Sequence, residues 1–315
     1  MKKWKVLLSV PYLLPVLEEY HPLFDKHGIE LVITRTKECL TEKELLEIMS
    51  DIDGTICVDD HFTARVLEAS PKLKVISKWG TGIDAIDLEA AKRLGIVVRN
   101  TLDAFTRGVA DTALGYMLMF ARQLIPLDRD MKAGVWKKRD AVALHECTVG
   151  VIGVGNTGRA TIRRLKVFGP RILACDITPI PQEFIDETGI EVVSHEQIFR
   201  DSDFISLHCT LNPTSKGMVG DKEFEMMKPN AVIINTARGP LIQEDALVKA
   251  LQSKKIAGAA LDVFEVEPLP ETSLLRTFDN VFLAPHNANS SFAARDKVNK
   301  LTVGYCLEEL AKHVK

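Results

Sequence analysis

Residues 148–176, TVGVIGVGNTGRATIRRLKVFGPRILACD, limit what this chain can fold into more than any other stretch. An apolar run of strand length meets Gly153, Gly155 and Gly158 in GxGxxG spacing, a helical pattern follows, and a second apolar run stops at Asp176. That order is one βαβ unit. Gly153 permits a tight turn, Gly155 lets a pyrophosphate approach the backbone, and Gly158 lets helix and strand pack closely. The helical pattern runs from Thr157 to Phe168, and its N-terminal N–H groups, with Asn156 just before them, point at the phosphates. Asp176 lies 176 − 158 = 18 residues past the last glycine, where a carboxylate accepts hydrogen bonds from the adenine ribose and repels the extra phosphate of NADP. Ile177, Thr178 and Pro179 follow without an Arg. The expected cofactor is NAD.

At 315 residues the chain exceeds what one hydrophobic core usually organises, and two domains are expected. A net charge of −3 provides no basic footprint for nucleic acid, so small molecules are the expected partners. The six cysteines contain no CxxC pair, which argues against zinc and fits reduced thiols in the cytoplasm. Pro11 and Pro15 interrupt the first apolar stretch, which reads as a strand and not as a signal peptide. The most apolar helical segment, 113–121, is far short of the roughly 20 residues a membrane span needs.

Strand-like runs at 6–10, 30–33, 56–58, 73–77 and 97–99 alternate with helical patterns at 15–26, 41–50, 63–69 and 87–94. Beyond Asp176, strands are expected at 204–207, 231–235, 256–261 and 281–284, with helices at 194–200, 221–227 and 243–253. The fold class is therefore α/β, with doubly wound parallel sheets. Between the halves, 106–123 is apolar nearly all round and is expected to be a buried helix, with a further helix at 127–136. After the strand 73–77 comes SKWGTGID, whose two glycines turn backbone N–H groups toward an anion.

In such folds ligands sit at the carboxyl ends of strands. Three strand ends there carry Arg238, Asp262 with Glu267, and His286. Oxidising a 2-hydroxy acid needs a base for the hydroxyl proton and a cation for the carboxylate. An imidazole with an ordinary pKa of about 6.5 both accepts and donates near neutrality. Glu267 on its far nitrogen would fix the tautomer, and the planar guanidinium of Arg238 grips a carboxylate through two parallel hydrogen bonds. His208, also at a strand end, is placed beside the cofactor, as is Thr236. The remaining histidines are read as structural or surface residues.

These features together resemble the D-isomer-specific 2-hydroxyacid dehydrogenase family. SKWGTGIDAID, VADTALGYMLMFAR, TVGVIGVGNTGRA, NTARGPLIQEDALVKAL, AGAALDVFEVEP and APHNA fall in its order along nearly the whole chain. The resemblance implies Arg238 as substrate-binding, Glu267 as the acid of a dyad and His286 as proton donor and acceptor. It implies that Lys78, Trp79, Gly80, Thr81 and Gly82 hold the substrate carboxylate with backbone amides. It also implies that Asp262 binds the nicotinamide carboxamide and that Thr112 lies near the cofactor. Two Rossmann-like domains follow from it: a substrate domain at 1–100 plus 288–315 and an NAD-binding domain at 101–287, with a cleft between them that closes. A homodimer built largely on the helix after Asn100 is also implied. Cys209-Thr210-Leu211 replaces a common Pro, and Asn-Ala-Asn follows His286 where Ile/Leu-Gly-Gly/Ala is commoner. Val58-Asp59-Asp60 stands where phosphoglycerate-specific members tend to carry Arg-Ser, and a carboxylate there repels phosphate, a repulsion for which Lys78 could compensate. A small acid such as glyoxylate, hydroxypyruvate or glycerate is therefore expected, with 3-phosphoglycerate as the alternative. An NAD(H)-sensing corepressor-like binding protein is a reading of another class, and a formate dehydrogenase, which pairs its His with Gln, is opposed by Glu267.

Overall fold

The computed structural model describes residues 3–36 and 39–313. The chain divides into two compact units, Met1–Phe105 with Ser290–Lys315, and Thr106–Asn289.

In the first unit, β1 (Trp4–Leu8), β2 (Ile29–Ile33), β3 (Gly54–Cys57), β4 (Val75–Lys78) and β5 (Val97–Asn100) form a parallel sheet in the order β2-β1-β3-β4-β5. Its helices are capped as their sequences dictate. Thr41 and Glu44 make a reciprocal capping box at Glu42–Ile48, and the Asp87 carboxylate accepts from Ala90 N at 2.9 Å to start Leu88–Arg93. The last helix, Phe292–Ala311, packs on β3 and β4 through small contacts: Ser77 Oγ donates to Thr302 O at 2.7 Å, and Gly54 leaves room for the Cys306 thiol. The helix expected over 15–26 is two pieces, a 3-10 turn Leu14–Glu19 and a helix His21–Lys26. Pro15 and Pro22 each sit in a first turn, where a missing N–H costs nothing, so each starts a separate segment.

In the second unit, β6 (Thr148–Ile152), β7 (Arg171–Cys175), β8 (Glu191–Val192), β9 (Phe204–Leu207), β10 (Val232–Asn235), β11 (Gly258–Leu261) and β12 (Val281–Leu283) form a parallel sheet in the order β12-β11-β10-β9-β6-β7-β8. The winding reverses between β6 and β9, which makes their carboxyl ends the crevice of this sheet. β9 and β10 are buried throughout, as expected of strands covered on both faces. The helix Gln182–Thr188 and the two-residue β8 were not expected, because their mostly polar residues carry no apolar period.

Two expectations about the segment before β6 are corrected. The helix Thr106–Ala121 is not buried all round: Ala110, Ala113, Tyr116, Met117 and Ala121 are buried, while Leu114, Met119 and Phe120 are half-buried and Gly115 is exposed. This stripe, with Leu114, Leu118, Met119 and Phe120 at its flanks, packs against the core that the glycine-turn helix and the sheet share. The next helix is Leu124–Lys132 and not 127–136; the chain leaves it at Ala133, and Gly134 turns with φ +77°.

Candidate active site

The glycine turn follows β6. Gly153 has φ +93°, and a Cβ on it would lie 2.6 Å from Cys209 N. A Cβ on Gly158 would lie 2.0 Å from Gly153 O, so helix and turn touch through backbone alone. A Cβ on Gly155, by contrast, would meet nothing within 4 Å, and Gly155 begins the helix Asn156–Phe168 with no side-chain cap. An open approach to uncapped helical N–H groups is the environment a pyrophosphate requires. Asn156 is exposed and Thr157 half-buried there.

At the tip of β7, Asp176 accepts from Val154 N at 2.6 Å and from Thr178 N and Oγ1, each at 2.8 Å. Burial acts to raise its pKa, but the backbone hydrogen bonds from Thr178 and Val154 outweigh that and hold the carboxyl below its ordinary range. The group is an anion bound to the glycine turn. Across β6, His208 follows β9, its Cβ set against Gly158 and its Nε2 2.9 Å from Ser206 Oγ. Burial lowers its imidazole to about 4, so it is neutral near pH 7. The Thr236 hydroxyl at the end of β10 is buried and makes no hydrogen bond, as a group reserved for a polar ligand does.

Further along the same edge, the ends of β10, β11 and β12 carry Arg238, Asp262 and His286 in turn. Glu267 Oε2 lies 2.8 Å from His286 Nδ1, and its Oε1 accepts from Phe264 N at 2.9 Å. The carboxylate is thereby fixed by backbone while it holds the ring. His286 has φ +50°, a strained value for a non-glycine residue. Asp262 supports it: Oδ1 accepts from Asn287 N at 2.9 Å and Oδ2 from Ala288 N at 2.8 Å, and its own carbonyl accepts from His286 N at 2.8 Å. Burial raises the Asp262 pKa against the pull of those two amides. The Thr112 hydroxyl donates to Ala288 O at 3.2 Å, so Thr112 also steadies the histidine loop.

Two residues that sequence reasoning missed belong to this edge. Asn235 pins the arginine turn at both ends: Oδ1 accepts from Ala237 N at 3.0 Å and Nδ2 donates to Arg238 O at 2.8 Å. Tyr116 places its hydroxyl 3.4 Å from Asp262 Oδ1. The available signals were an amide ending the apolar strand AVIIN and a single phenol in an apolar helix.

In the first unit, the segment after β4 is more committed than expected. Trp79 N donates to Cys57 O at 2.7 Å, and Gly80 N donates to Thr101 Oγ1 at 3.1 Å. The Trp79 indole is buried, donating to Asn299 Oδ1 at 2.7 Å between the rings of Tyr12 and Phe105. The amides of Trp79 and Gly80 thus serve the fold, while Thr81 is exposed and Gly82 half-buried. Lys78 is buried with its ammonium 3.2 Å from Asp59 Oδ1.

A doubly wound parallel sheet with a glycine turn, a ribose-type acid and a carboxylate-held imidazole on one edge defines an NAD-dependent dehydrogenase. Comparison with known proteins specifies which kind. Residues 114–288 match the family model described as D-isomer specific 2-hydroxyacid dehydrogenase, NAD binding domain. The chain is 39% identical over 267 residues to a glyoxylate reductase of Thermococcus litoralis, covering 82% of this chain and 80% of that enzyme. It is 41% identical over 260 residues to a D-3-phosphoglycerate dehydrogenase of Methanocaldococcus jannaschii, covering 81% of this chain and 49% of that longer enzyme. The crystal structure of D-lactate dehydrogenase from Aquifex aeolicus, complexed with NAD and lactic acid, superposes with a TM-score of 0.83 at 25% identity over 98% of this chain and 97% of that one. The chain belongs to the D-isomer specific 2-hydroxyacid dehydrogenase family, and its cofactor is NAD.

Proposed function

We propose that this dehydrogenase interconverts a small, unphosphorylated D-2-hydroxy acid and its 2-keto acid, of the glyoxylate, hydroxypyruvate or glycerate type. The observation that carries the proposal is the 2.8 Å contact of His286 Nδ1 with Glu267 at the carboxyl edge of the sheet. NADH, when bound, supplies hydride to the keto carbon. With Nδ1 held by Glu267, Nε2 of His286 delivers the proton to the developing alkoxide and recovers it in the reverse direction. Arg238 grips the substrate carboxylate and polarises the adjacent carbonyl. Thr81 and Gly82 are the residues of the 78–82 segment left to donate amides to that carboxylate. Gly153, Gly155, Asn156, Thr157 and Gly158 take the pyrophosphate, Asp176 the ribose, Asp262 the carboxamide side, and Thr112, His208 and Thr236 line the dinucleotide. The open face at Gly155 and the buried, unbonded Thr236 hydroxyl fit that assignment.

The phosphoglycerate reading has the M. jannaschii relative in its favour. Against it stands Asp59, whose carboxylate repels a phosphoryl group. We assign the enzyme to the cytoplasm, in keeping with its free cysteines, and to a homodimer. The dimer is supported by the apolar side chains left outside along 124–142, among them Leu124, Met131, Val135 and Trp136, the last 87% exposed. NADH oxidation followed at 340 nm against a panel of 2-keto acids tests the activity. Turnover with at least one small member is expected; consumption no faster than the cofactor's spontaneous loss with every acid would overturn it.

A further inference from the structure

The chemistry around Lys78 specifies more about the substrate than its carboxylate does. Lys78 ends β4 and its side chain is only 3% exposed, a costly place for an ammonium unless it is paired. Asp59 Oδ1, from the segment after β3, lies 3.2 Å away, and Lys78 Nζ also donates to Trp79 O at 3.2 Å. The ammonium sits against the glycine segment, 3.1 Å from where a Cβ on Gly80 would be. Asp59 is 38% exposed, so the pair has one buried and one accessible member. The neighbouring Asp60 is fully buried, its carboxylate taken by Ser9 Oγ and by Leu40 N at 2.8 Å, which fixes the segment from behind.

We infer that Asp59, held by Lys78, reads a hydroxyl on the substrate's third carbon, making a 3-hydroxy-2-keto acid the preferred class. The inference rests on the proposal that the 78–82 segment receives the substrate. A hydroxyl has a hydrogen to donate, and it gives it to the accessible Asp59 carboxylate, which the buried Lys78 ammonium holds in place from 3.2 Å. A methyl in that place offers the carboxylate no donor. A phosphoryl or second carboxylate group meets the Asp59 charge. Glyoxylate, lacking the third carbon, forgoes the contact altogether.

The test is kcat/KM of the full-length enzyme with NADH for hydroxypyruvate, pyruvate and phosphohydroxypyruvate, in wild type and Asp59→Asn. Sites that hydrogen-bond a substrate hydroxyl reject the analogue lacking it strongly, so with Asp59 partly exposed wild type should favour hydroxypyruvate over pyruvate by roughly 10- to 100-fold. Asp59→Asn should shrink that ratio about tenfold and raise the relative rate with phosphohydroxypyruvate. A ratio the same in both proteins, or a wild type that prefers pyruvate or phosphohydroxypyruvate, would overturn the inference while leaving the dehydrogenase reading intact. If Asp59→Asn is recovered unfolded, the wild-type order alone decides. Turnover with no 2-keto acid at all would remove the underlying reading instead.

Discussion

Arg238 leaves the end of β10 in a turn that Asn235 fastens from both sides, so the guanidinium starts from a fixed root. Replacing it with Ala should cost on the order of 10² or more in kcat/KM, the scale of one preorganised charge-stabilising donor; steady-state rates measure this. Asn235→Ala leaves the guanidinium in place but loosens its root, and should raise KM with smaller loss of kcat. A second residue-scale consequence concerns acid. His208 is pulled to about 4 by burial, so between about 6.5 and about 4 the folded state binds fewer protons than the unfolded chain, and stability falls as pH drops through that window. Asp60, raised to about 6 by burial, acts in the opposite direction, since the folded carboxyl holds its proton at pH values where the unfolded one has lost it. Melting temperatures of His208→Asn should therefore fall less than wild type between pH 6.5 and 4, whereas those of Asp60→Asn should fall more. The contact of His286 with Glu267 was legible because both follow strand ends of a parallel sheet, where side chains of that kind converge. Asn235 and Tyr116 were not, because their roles are contacts with Arg238 and Asp262, and apolar periodicity says nothing about where an amide or a phenol will point.

At the scale of elements, the glycine turn has little tolerance. A Cβ on Gly158 has to displace Gly153 O, which is backbone and cannot swing aside. Gly158→Ala should lower stability by about 1–3 kcal/mol, the usual cost of overpacking, and weaken NADH binding; urea unfolding and cofactor fluorescence read the two. Most strands were legible to within two residues, since runs such as 204–207 and 232–235 are mostly apolar and bounded by polar turns. The 15–26 pattern failed because two prolines each begin a segment, a break that a purely apolar period does not register. Helix Thr106–Ala121 failed differently. Its composition asks for burial on every side, yet it is fully buried along one stripe, half-buried beside it, and exposed at Arg107, Asp111 and Gly115.

At the scale of the whole molecule, the apolar side chains exposed along 124–142, Trp136 foremost, form the surface for which we propose a second copy as partner. Trp136→Asp should convert a particle of twice 35.0 kDa into one of 35.0 kDa in light scattering, at unchanged secondary structure; a wild type that is already monomeric would remove the dimer from the account. The α/β class was legible from the alternation of strands and helices and from one glycine turn, whereas the substrate was not, because it depends on a pairing between Asp59 and Lys78, 19 residues apart in sequence, that only the register of β3 against β4 creates. The central claim is that the imidazole of His286, held by Glu267, moves the proton while NAD carries the hydride. Its most direct test is the rate of NADH oxidation with the best 2-keto acid in His286→Ala, alongside NADH binding by fluorescence. Binding retained with turnover reduced by at least 10² is the predicted result, and turnover equal to wild type would contradict it.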